Sequence, residues 1–241
     1  MLTAAWWGFV GGAALLVGAV LGIYLAASKR IIGLVMAFGA GVLISALSFE
    51  LTREAYDKGG GLSAAVGLSA GSLTFFVGDW LVDRRGGHRR KNPSGTQPGA
   101  GAAALVLGAL LDGIPESAAI GVSLLEGGSV GLAVVAAVFL SNIPESLSAS
   151  SGMKAAGHST RYILGLWLAV TAASTAAAAL GYGLLDGAPS AVVAFIQAFA
   201  AGAILTMLSD TMLPEAVEYA GSLVGLLSVL GFVGAFLLSV A

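Results

Sequence analysis

Apolar residues run along this chain in long blocks separated by short polar breaks. Several blocks reach the ~18 residues or more that carry a helix across a hydrocarbon core. The predicted spans cover about 4–27, 31–51, 62–82, 101–125, 129–153, 162–185, 190–213 and 220–240. A polar loop fills about 83–98, after the third span. Lipid offers backbone groups no water, so each span is expected to be a helix. The reading is an all-α membrane protein with eight transmembrane helices in one domain over residues 1–241. The first block has no basic region before it and is too long for a signal peptide, so it is read as a true span.

Within this pattern the chain repeats itself. FGAGVLISALSFELTREAYD begins at Phe38 in the second span, and FAAGAILTMLSDTMLPEAVE begins at Phe199 in the seventh. Phe, Ala, Gly, Leu, Ser, Glu and Ala recur in register without gaps. A second repeat lies between them, LDGIPES from Leu111 in the fourth span and LSNIPES from Leu140 in the fifth. An alternating topology runs the members of each pair in opposite directions. The expected plan is 3+2+3, with inverted repeats flanking a central pair, the signature of secondary transporters with a site near the midplane.

Composition narrows the class. Of 241 residues 57% are hydrophobic and 10% are charged, whereas soluble domains carry about 25% charged residues. A net charge of -2 indicates no particular partner, and the absence of cysteine excludes disulfides and thiolate ligands. Basic residues set the orientation. With the N-terminus outside, only Arg53 and Lys58 face outward; the inner side holds Lys29, Arg30, Arg84, Arg85, Arg89, Arg90, Lys91, Lys154 and Arg161. Both termini are therefore expected outside. The RRGGHRRK run is read as an anchor near anionic lipid and not as a nucleic-acid site. His88 and His158 fall in inner loops, where a metal role is not expected. Gly8/Gly12, Gly18/Gly22, Gly67/Gly71 and Gly221/Gly225 are small-xxx-small pairs suited to close helix packing.

The chemistry lies in charges that do not belong in lipid. An ionisable residue inside a span costs about 2.5–3.5 kcal/mol on insertion scales, yet Asp112, Glu116, Glu145 and Asp210 all sit in apolar helices. Helical spacing puts Asp112 with Glu116, and Ser141 with Glu145, on one face, with Asn142 nearby. Pro115 and Pro144 each remove a helix hydrogen bond and free the carbonyls of Leu111 and Leu140, which could also face an ion. Clustered carboxylates in low dielectric do not all stay ionised unaided, and a divalent cation or protons would resolve the conflict. Carboxylate, amide and hydroxyl oxygens suit hard cations. A bland reading competes: proline kinks occur for shape alone, and a single buried Glu can be a protonated packing residue. Two equivalent copies favour function. Glu50, Asp79, Glu215 and Glu218 lie near span ends and are weaker candidates.

These stretches resemble the ZIP family of metal-ion transporters, whose fourth helix carries His-Asn-x-Pro-Glu-Gly and whose fifth carries a similar pattern. Here Asp112-Gly113-Ile114-Pro115-Glu116-Ser117 and Ser141-Asn142-Ile143-Pro144-Glu145-Ser146 occupy those places. The resemblance implies a metal site between spans 4, 5 and 7, formed by Asp112, Glu116, Ser141, Asn142, Glu145 and Asp210. It replaces the family's histidines with oxygen donors, which implies weaker preference for zinc and greater tolerance for manganese or iron. The function expected is a secondary uptake carrier for divalent metal cations such as zinc, iron or manganese. The metal is cargo and no cofactor is expected; the partners are the bilayer of the plasma or inner membrane and a homodimer mate. No ATP-binding motif appears, so gradients would drive it. The alternatives are a carrier or channel for another solute, and an intramembrane hydrolase using paired carboxylates. The second lacks HExxH and any histidine in a span, so no enzyme is expected.

Overall fold

The computed structural model describes residues 1–25, 28–84, 102–125 and 131–239. Among these residues all regular elements are helical. They are α1 (Leu2–Tyr24), α2 (Lys29–Ala46), a π-helical segment π1 (Leu47–Thr52), α3 (Arg53–Val82), α4 (Ala102–Ser123), α5 (Leu132–Ala155), α6 (Thr160–Leu185), α7 (Ser190–Met207), a second π-helical segment π2 (Leu208–Met212), α8 (Leu213–Ala220) and α9 (Leu223–Ser239). The RRGGHRRK run, with His88, lies outside the described residues.

Five helical runs among the described residues are long and apolar enough to cross a bilayer: Leu2–Tyr24, Lys29–Val82, Leu132–Ala155, Thr160–Leu185 and Ser190–Ala220. The second is 54 residues long, roughly 80 Å at 1.5 Å per residue and far beyond one crossing. It is interrupted at Gly60, whose φ of 74° and ψ of 171° are non-helical. Such a backbone is open to glycine and strained for other residues.

The repeat seen in the sequence is a repeat in backbone detail. The copies stand 161 positions apart (38 against 199). Helices α2 and α7 are each 18 residues long. Each passes into a π segment, then a short α-helical stretch, then a glycine of positive φ, Gly60 at 74° and Gly221 at 66°. Ser48 donates to the Ile44 carbonyl at 2.8 Å, and the equivalent Ser209 donates to the Leu205 carbonyl at 2.9 Å. Hydroxyls bonded back one turn bend helices, and π segments interrupt them.

Glycines set the helix pairing. Gly41 of α2 abuts the Ser228 backbone on α9, and Gly231 of α9 abuts the Phe38 backbone. Likewise Gly202 of α7 abuts the Leu68 backbone on α3, and Gly71 abuts the Phe199 backbone. In each pair the two glycines enter the partner backbone at one crossing point. Elsewhere on α2, Gly33 faces Ala216 and Tyr219, while Gly39 faces Met212. The two copies of the repeat thus cross antiparallel. The remaining helices form a second group, with α1 packed on α5 and α6, and α4 on α6. Gly8 and Gly12 meet α6, and Gly18 and Gly22 meet α5, as small-xxx-small packing requires. Gly221 and Gly225 depart from that expectation. Neither has a neighbour within 4 Å of its Cβ position among the described residues, and Gly221 serves instead as the cap of α8.

Candidate metal-ion site

The central pair, α4 and α5, bury a polar set inside apolar helices. Relative exposure is 2% for Asp112, 1% for Glu116, 3% for Ser141, 3% for Asn142 and 7% for Glu145. Both helices continue through their prolines, Pro115 and Pro144. The freed Leu140 carbonyl lies 3.3 Å from the Cβ position of Gly39. It therefore packs against α2, a role that the expectation of an ion-facing carbonyl did not include.

Ser141 bridges the two helices. Its hydroxyl lies 3.1 Å from Glu116 Oε1 as donor, and 3.0 Å from the Val138 carbonyl. Asn142 Nδ2 donates to the Gly11 carbonyl on α1 at 3.1 Å, which leaves its Oδ1 as the acceptor. Ser146, fully buried, donates to the Asn142 carbonyl at 2.7 Å. The counterpart of Asn142 in α4 is Gly113, and there the Ser174 hydroxyl of α6 stands 3.2 Å from the Cβ position. An amide reaches out from one helix where a glycine admits a hydroxyl into the other. Ser174 and Thr171, which donates to the Gly12 carbonyl at 3.0 Å, are buried polar residues that the sequence reading did not single out.

Asp210 is placed elsewhere. It is exposed on π2 and lines a groove of about 590 Å³ between α3 and α7, with Ser69, Ser72, Thr206 and Ser209. No described residue of α4 or α5 lines that groove. The cause is helical phase: Met212, two residues on, is buried and faces Gly39 of α2, so Asp210 turns to the opposite side. Among the described residues no three His, Asp or Glu side chains converge as a ready-made chelate. His158 is exposed and stacks on Tyr162, with ring centroids 5.2 Å apart.

A further polar network ties the end of the first repeat to α7. Gln197 is fully buried and donates to Glu54 Oε2 at 2.7 Å. Lys58 donates to Glu54 Oε2 at 3.3 Å and to Gln197 Oε1 at 3.2 Å. Sequence reading assigned Lys58 to a loop and passed over Gln197. A lone Gln in an apolar span was the available signal, because a buried amide needs partners.

The chain is similar to a protein of Arabidopsis thaliana provisionally named a zinc transporter, with 30% identity over 191 residues, 78% of this chain. The chain spans about 30% of that relative's length. No family model matches.

Proposed function

We propose that this chain is a secondary transporter of the ZIP type, a carrier and not an enzyme, which moves divalent metal cations across a membrane. The observation that carries this reading is the duplicated Ile-Pro-Glu-Ser, with Glu116 and Glu145 buried on adjacent apolar helices beside Asp112, Ser141 and Asn142. Buried carboxylates in lipid are expensive, and a cation that arrives and leaves is a reason to keep them. The similarity to the Arabidopsis protein supports the same class of cargo.

In this reading eight spans form a 3+2+3 plan with both termini outside. The third span begins after Gly60, and α7, π2 and α8 together make the seventh. A cation enters, exchanges water for the oxygens of Glu116, Glu145, Asp112 and Ser141, and leaves on the other side. Metal and protons compete for those carboxylates, so release is coupled to protonation. The α1/α4/α5/α6 group carries the site. The α2/α3/α7/α9 group, built from the inverted copies, is the frame against which it moves to alternate access. An all-oxygen donor set lacks the imidazoles that favour zinc, so manganese and iron compete well with zinc.

The test is uptake into proteoliposomes with zinc, manganese and iron in competition, for the wild type and for Glu145→Ala. Transport that disappears in the variant, while its helicity and detergent elution are unchanged, supports the site. Normal uptake by that variant refutes it. Strong zinc preference over manganese would remove the hard-cation reading alone.

A further inference from the structure

The groove that holds Asp210 lies between α3 and the α7–π2 run, and no described residue of α4 or α5 lines it. Its polar lining is Ser69, Ser72, Thr206, Ser209 and Asp210, and no Lys or Arg among the described residues borders it. Two of the hydroxyl protons have acceptors within the groove wall. Ser209 donates to the Leu205 carbonyl at 2.9 Å, and the single proton of Thr206 has the Gly202 carbonyl at 2.9 Å and Ser72 Oγ at 2.8 Å within reach. A hydroxyl that gives its proton to a carbonyl one turn back presents lone pairs to whatever faces it. The groove thus presents hydroxyl oxygens around one carboxylate, with the lone pairs of Ser209 and Thr206 available.

The fold does not require this chemistry. The equivalent place in the first repeat is Phe49, on π1, which faces α9. There Phe49 meets Phe232 edge to face at 5.9 Å and Phe236 at a tilt at 5.1 Å between centroids, so the position packs against aromatic rings. The same backbone packs with hydrocarbon, yet the second copy keeps an exposed carboxylate in an apolar helical run, where it is costly.

We infer that the Asp210 groove is a lateral binding site for a hard monovalent cation, of the sodium class, distinct from the carboxylates of α4 and α5. Charge balance selects the class: one carboxylate in a low-dielectric wall neutralises a single positive charge, and a divalent ion there would remain unbalanced. Hydroxyl and carboxylate oxygens are the hard donors such an ion takes. The site goes beyond the transport reading and does not depend on it.

The chain has no cysteine, so one introduced thiol reports without background. Leu73→Cys places it in the groove wall, and Val229→Cys on the exposed face of α9 is the control. Purified full-length protein in nanodiscs is reacted with a charged methanethiosulfonate in sodium chloride or choline chloride at equal ionic strength. Modification of the groove thiol is expected to proceed in choline. It should slow about tenfold when sodium stands at about ten times its dissociation constant. The control thiol should show no sodium dependence. Adding Asp210→Asn should abolish the slowing, whereas adding Glu116→Gln and Glu145→Gln should leave it intact. Sodium-independent modification, or slowing that survives Asp210→Asn, overturns the site. So does protection by manganese but not sodium. Absence of reaction in choline, with disulfide cross-linking of the groove thiol between copies, would mean that a second copy covers the groove and would equally overturn it. None of these outcomes measures transport, so they stand apart from failure of the central site.

Discussion

The two copies of the inverted repeat share a backbone and differ in what they put on it. Both have an 18-residue helix, a π segment and a positive-φ glycine at matching positions. At the π segment one copy presents Phe49 to two further phenylalanines, and the other presents Asp210 to four hydroxyls. Beyond it, Glu54 of the first copy engages Lys58 and Gln197. The positions matching Lys58 and Gln197 in the other copy are Tyr219 and Met36. Duplication thus conserves the close contacts that hold the fold and releases the side chains that do chemistry. The central pair divides differently, with the candidate chemistry of Glu116 and Glu145 kept and Asp112, Gly113 exchanged for Ser141, Asn142.

The largest expected effect tests what the central pair conserves. Glu116→Gln and Glu145→Gln should each take metal uptake to background without loss of folded protein in the membrane. If one variant transports normally, the duplicated glutamates are not equivalent parts of a single site.

Next in size is an exchange across the repeats. Phe49→Asp should destabilise the folded protein by about 2.5–3.5 kcal/mol, because its surroundings offer rings and not hydroxyls. Asp210→Phe should leave thermal stability intact or raise it. Equal losses from both substitutions in a melting experiment would mean that Asp210 is a structural requirement.

A third measurement concerns the shared contacts. Gly41→Val and Gly202→Val each force a side chain into a partner backbone, and both should cost about 1–3 kcal/mol or more of overpacking. A mild effect in one copy alone would show that the two helix pairs are not equivalently packed. The smallest effect belongs to the polar link: Gln197→Met should lower stability by about 1–2 kcal/mol through the unsatisfied Glu54 and Lys58 partners. Met36→Gln, in the matching place of the other copy, should not recover it.

Most of the architecture was legible in the chain. Block hydrophobicity marked membrane helices because lipid, unlike water, tolerates no unsatisfied backbone and little charge. The predicted boundaries fall within a few residues of α1, α4, α5, α6 and α9, with Ser28, Ser159 and Gly221 capping helices by local chemistry; the loop expected over about 52–61 is instead helical, interrupted at Gly60, and the seventh run continues past 213 to Ala220. The duplicated motif picked out Asp112, Glu116, Ser141, Asn142 and Glu145, and all five are buried. What sequence could not determine is azimuth. Asp210 lies in an apolar span like the others, yet the phase of π2 turns it to a groove of its own. The freed Leu140 carbonyl meets Gly39, and Gln197 becomes the hub of a network with residues 139 and 143 positions away. Length, polarity and repeats are properties of the chain, and they decide that helices form and which stretches correspond. Which side of a helix a residue faces depends on how neighbouring helices dock and on a π turn that shifts the register. Only the packed structure decides that.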